Sequence, residues 1–209
     1  MNLLKKEFRD KIGEFVGKIE KQSGVEVVVA ITAKSGNYSY VGLMAGIIFC
    51  FASLGLTVFS EEEWDDEFIL LFPLIGFAFG FLLFSISSLA SFLIPKKVLK
   101  RNVEIYGRAA FQKGKIYETA SRQGILIFIS LFEKEIIVLE DKIVSKRIPF
   151  DKISELKNNF NSVFRKFPDG KASGRILSSF ESMIPICAKY IPIEANDINE
   201  IPDDLEIVL

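Results

Sequence analysis

The chain has no histidine among its 209 residues. That absence removes the commonest general base and a favoured zinc ligand, and with them Ser-His and Cys-His nucleophiles and His-ligated zinc. Cysteine is nearly absent too. Cys50 lies in an apolar run and Cys187 in the soluble part, so no disulfide framework is expected and a reducing compartment fits. Charge of either sign is missing from Tyr40 to Phe59 and from Phe68 to Pro95. A mean hydropathy of +0.29 in a chain with 25% charged residues requires this kind of segregation.

A helix crossing a bilayer needs about 20 consecutive apolar residues at a rise of about 1.5 Å each. Both runs qualify as spans, and the second is long enough to tilt or to extend past the hydrocarbon. Core helices of soluble proteins rarely go twenty residues without a charge. A cleaved export signal is not expected, because structured-looking sequence precedes the first run.

Between the runs lies "SEEEWDDE", Ser60 to Glu67, with six carboxylates and no Lys or Arg. Lys5, Lys6, Arg9, Lys11, Lys18, Lys21 and Lys34 precede the first run, while Lys96, Lys97, Lys100, Arg101, Arg108, Lys113 and Lys115 follow the second. Basic flanks stay cytoplasmic. The expectation is therefore a multi-pass protein of the inner (cytoplasmic) membrane, with both termini inside and the acidic loop outside. Trp64 in that loop is expected to rest at headgroup level as an interface anchor. A connector this short has little room to wrap a metal ion.

Gly42 and Gly46 stand four apart in the first run, as do Gly76 and Gly80 in the second. Small residues at that spacing let helix backbones approach, either within the hairpin or between two copies in a homodimer. The packing within one chain is the preferred reading. No charge inside either span marks an ion path, so the unit reads as an anchor.

Outside the spans, Leu4, Phe8, Ile12, Phe15 and Ile19 line one face of a first helix. The continuous apolar run Val25 to Thr32 reads as a central strand covered on both sides. A long helix is predicted from Pro95 to Ser121, then two strands, Ile125 to Phe132 and Glu135 to Glu140, joined at Glu133 and Lys134. A helix from about Asp151 buries Ile153, Leu156, Phe160, Val163, Phe164 and Phe167. The last helix is expected to kink or stop at Pro185. After Pro192 the tail holds six acids and no bases, ending in "LEIVL" as a short edge strand or a disordered end. An isolated strand at Val25 cannot satisfy its backbone, so it must pair with the later hairpin. The organisation follows: residues 1–39 and 96–209 form one discontinuous cytoplasmic α/β domain, interrupted by a transmembrane hairpin at 40–95 with spans 40–59 and 68–95 and a loop at 60–67.

Three stretches together resemble the TPM domain family. They are "SGVEVVVAIT" at Ser23 to Thr32, "GILIFISLFEKEIIVLEDKIV" at Gly124 to Val144, and the helical pair "FDKISELKNNFNSVFRKF" and "GRILSSFESMIPICAKYIP". "NEIPDDLEIVL" resembles the tail of that family's membrane-inserted bacterial members. The resemblance implies a mixed sheet covered by helices on both faces. It also implies either an accessory role at membrane complexes or, as in some members, divalent-cation binding and phosphatase activity. The glycine-bearing turn of many members is here "EDKIVSKRIP", which leaves no backbone concavity for a phosphate.

Glu140 and Asp141 are hard oxygen donors that suit calcium, magnesium or manganese. Adjacent strand residues point to opposite faces, however, and a solvated strand end is the preferred reading. "PDGKASG" at Pro168 to Gly174 lacks Walker spacing and reads as a turn between helices with Ser173 as cap. Cys187 falls on an apolar face and reads as core. No cofactor is expected beyond such a divalent cation, and no nucleic acid partner. The leading expectation is a non-catalytic binding or accessory module held at the membrane by lipid contact and serving a protein partner. The alternatives are a cation-dependent phosphatase and a structural oligomerising subunit.

Overall fold

The structure is a computed structural model. It describes residues 5–62, 64–86, 89–114, 116, 122–166, 172–193 and 206–208, with backbone alone at 86, 165, 166 and 206–208. The elements run α1 (Lys6–Gln22), β1 (Glu26–Thr32), α2 (Ser39–Phe59), α3 (Asp66–Ile86), α4 (Ala90–Leu93), α5 (Lys96–Lys113), β2 (Gly124–Ser130), β3 (Glu135–Glu140), α6 (Lys142–Arg147), α7 (Phe150–Asn161), α8 (Val163–Lys166), α9 (Ala172–Tyr190) and β4 (Glu206–Val208). Two units result. One joins Met1–Ser35 to Lys100–Leu209, and the other is Gly36–Leu99.

In the discontinuous unit the sheet order is β3-β2-β1-β4. β1 is parallel to β2 over its whole length and parallel to β4, while β2 and β3 form an antiparallel hairpin. The β-branched run after Gly24 is thus an interior strand, and the end of the acidic tail supplies the edge. On one face Val27, Val29, Ile31, Ile125, Ile127 and Ile129 pack with buried residues of α1, α7 and α9. On the other Ala30, Leu126 and Phe128 meet Val103, Tyr106 and Ala110 of α5. The period of two along each strand feeds alternate side chains to these layers, which explains why β1 and β2 are apolar almost throughout. This is an α/β fold, a mixed sheet flanked by helices.

Several boundaries differ from expectation. The apolar stretch 68–95 is not one helix: α3 ends at Ile86 and α4 is a separate short turn. Twenty-one residues already span about 30 Å, the thickness of a hydrocarbon core. α5 stops at Lys113, where Gly114 closes the last turn through its N–H to the Ala110 carbonyl at 2.8 Å, rather than at Ser121. The residues between Gly114 and Arg122 lie outside the described set apart from Ile116. α7 ends at Asn161, and Val163 and Phe164 reach the core from α8; Phe167 is outside the described residues. α9 runs through Pro185 without a break. One missing backbone bond is offset there by Met183, Cys187 and Ile191, buried on both sides of it. Because α9 already includes Ala172, Ser173 sits inside the helix and is not its cap.

Candidate functional site

The unit Gly36–Leu99 is a helical hairpin whose facing surfaces are set by glycine. An added Cβ at Gly80 would stand 2.8 Å from the Ala45 carbonyl oxygen, and one at Gly76 would stand 2.7 Å from that of Phe49. At Gly46 it would meet the Phe77 ring at 2.9 Å, and at Gly42 it would run into the Ser85 hydroxyl. All four glycines therefore line the contact between α2 and α3. Phe49 and Phe79 add an edge-on ring pair at 5.5 Å.

The outer surface of the hairpin is apolar. Leu56 is 75% exposed, Phe59 87% and Leu70 73%. α2 and α3 each carry a stretch long and apolar enough to cross a membrane, with 28% and 6% of its residues buried. A core helix of a soluble protein buries most of such a stretch. Trp64, at the turn, donates its indole N–H to the Ser60 hydroxyl at 2.5 Å and sets its ring edge-on to Phe72 at 5.2 Å.

At the end of β3 the two carboxylates do different things. Glu140 accepts from the Lys157 ammonium through both oxygens, at 2.8 and 2.7 Å, on the sheet face covered by α7. Asp141 is the N-cap of α6: its Oδ1 accepts from the Lys142 amide at 2.6 Å. Its Oδ2 is buried and has no hydrogen-bond partner among the described residues. Asp141 lies just past the end of β3 and serves α6, while Glu140 serves α7. Among the described residues no group of three His, Cys, Asp or Glu is placed to hold a metal ion.

A polar network escaped the sequence. Glu133, in the β2–β3 turn, is buried. Its carboxylate accepts from the Ser35 amide at 2.8 Å and from the Ser130 hydroxyl, and the Ser35 hydroxyl donates to Ser130 at 2.7 Å. This ties the segment leaving β1 to the β2–β3 turn. A groove of about 420 Å3 lies between α7 and α9, lined by Asn159, Ser162, Arg175, Ser178 and Ser182. The hydroxyls of its four serines, Ser179 included, donate to nearby helix carbonyls, so they offer lone pairs rather than protons. Cys187 is buried, and desolvation pushes its thiol up to about 12; it is core, not a nucleophile.

No known family profile matches the chain, and no curated protein does. One solved structure is similar, the NMR structure of the BA42 protein from the psychrophilic bacterium Bizionia argentinensis, at 15% identity and a TM-score of 0.57. The match covers all of both chains. At that identity the likeness is one of fold.

Proposed function

We propose that the chain is an integral membrane protein in which an α/β domain of the TPM kind is carried on a two-helix anchor and works as a non-catalytic accessory module for a protein partner. The observation that carries this reading is the hairpin: two 21-residue helices whose apolar side chains face outward. In water that surface would be an aggregation site. In hydrocarbon it costs nothing. The basic flanks and the acidic turn support an orientation with both termini in the cytoplasm. The order helix, strand, hairpin, helix, two strands and further helices supports the TPM kinship.

An accessory role is supported by what the polar groups already do. Glu140 is engaged by Lys157, Asp141 caps a helix, Glu133 closes a turn and Cys187 is held protonated. Photo-crosslinking of the full-length chain in native membranes tests the role directly. A defined protein captured from the cytoplasmic domain, and lost when that domain is replaced, is the expected result. One observation favours the cation-dependent reading, namely the unpartnered Oδ2 of Asp141. Manganese-dependent hydrolysis of an aryl phosphate that Asp141→Asn abolishes would overturn the accessory reading.

A further inference from the structure

We propose that the hairpin holds one phospholipid with an anionic headgroup, its acyl chain in a groove on α2 and its phosphate on Lys96 and Lys97. The groove has a volume of about 250 Å3 and is lined by Tyr40, Met44, Ile48 and Phe49 of α2 with Phe84 of α3 and Leu93 of α4. Its lining is almost wholly apolar. Leu93 of the short α4 stands beside Phe84 of α3 in that lining.

The dimensions favour a lipid chain. From Tyr40 to Ile48 is eight residues, about 12 Å along the axis of α2, against roughly 15 Å for one leaflet of a 30 Å hydrocarbon core. The groove begins at the end of α2 that carries the entry from the α/β domain, so it lies in one leaflet.

Charge favours an anionic headgroup. Leu93 is followed, after Ile94 and Pro95, by Lys96 and Lys97 at the first turn of α5. Both are exposed, and among the described residues neither has an ion-pair partner. The first intrahelical bonds of α5 run from Val98 and Leu99 to the Pro95 carbonyl, so the amides of Lys96 and Lys97 precede the helical ladder and suit a phosphate oxygen. A second copy of the chain seated there would bring a second set of these cations close to the first, which like-charge repulsion opposes. The inference rests on the membrane reading above.

The test uses the full chain in nanodiscs of equal phosphatidylglycerol and phosphatidylcholine with matched acyl chains, with lipids retained after partial detergent release counted by native mass spectrometry. The expected result is one retained phosphatidylglycerol per chain, at a preference of roughly thirtyfold from two surface cations. Lys96→Gln with Lys97→Gln brings that preference to within about twofold. Ile48→Trp, filling the groove, lowers retention of both lipids, while Leu56→Trp, exposed elsewhere on α2, leaves it unchanged. Equal retention of both lipids by the wild type, an unchanged preference in the lysine variant, or a lipid-free dimer would overturn the proposal. A chain that inserts normally but shows no preference refutes the lipid seat alone; one that alkaline carbonate extracts from the bilayer refutes the membrane reading and the seat together.

Discussion

Gly80→Ala is a one-methyl perturbation with a defined obstruction. The new Cβ would lie 2.8 Å from the Ala45 carbonyl oxygen, 2.9 Å from Phe49 Cδ2 and 3.0 Å from the Ala45 carbonyl carbon. Two of these three atoms are backbone, so a rotamer change cannot clear them and the helices must move apart. Overpacking of this kind costs about 1–3 kcal/mol. Gly55 lies on α2 with nothing within 4 Å of an added Cβ, so Gly55→Ala is the matched control and should fall within about 0.5 kcal/mol of wild type. For a chain of this length about 2 kcal/mol corresponds to a drop of roughly 4–8 °C in Tm. Thermal unfolding of the purified full-length protein in one detergent, followed by circular dichroism, measures both variants. Gly46→Ala should fall between them, since the Phe77 ring it meets can partly yield. Equal melting temperatures for Gly80→Ala and Gly55→Ala would refute the claim that the glycines set the helix contact.

Glu133→Ala orphans two buried donors, the Ser35 amide and the Ser130 hydroxyl, and should destabilise by about 2–4 kcal/mol in urea unfolding; Glu133→Gln keeps an acceptor oxygen and should lose clearly less, and equal small losses would contradict the network. Phe160 is fully buried with its ring edge-on to Phe180 at 5.3 Å, so Phe160→Ala should cost about 3–5 kcal/mol, whereas Phe150→Ala, at a side chain 86% exposed, should cost under about 0.5 kcal/mol. In a Cys50→Ser background the thiol of Cys187, held protonated with its acidity near pH 12, should resist maleimide at pH 7.5 until the protein is unfolded; rapid labelling of the folded form would show that α9 opens.

What the sequence made legible was whatever repeats locally. The three-and-four spacing of Phe8, Ile12 and Ile19 gave α1 and the unbroken run from Val25 gave an interior strand, whereas the tail "LEIVL" left a disordered end and an edge strand both open, and Glu206–Val208 forms the strand. The glycine pairs were legible as close-approach points because their spacing matches the turn of a helix. What stayed hidden depends on distant residues. Glu133 meets Ser35 across 98 positions, and no local pattern announces a partner that far away. Asp141 was weighed as a metal ligand because it sits beside Glu140, but an Asp just before a helix is also an N-cap signal, and α6 begins directly after it. Pro185 reads locally as a break, and only the packing around α9 outweighs the lost hydrogen bond.

The central claim is that the hairpin crosses a membrane with the acidic turn outside. Single cysteines at Glu62 and Lys18, each in a Cys50→Ser and Cys187→Ser background, and a membrane-impermeant maleimide on intact cells test it most directly. The account predicts that Glu62→Cys is labelled at once and Lys18→Cys only after the membrane is permeabilised; the reverse pattern, or equal labelling of both in intact cells, would contradict it.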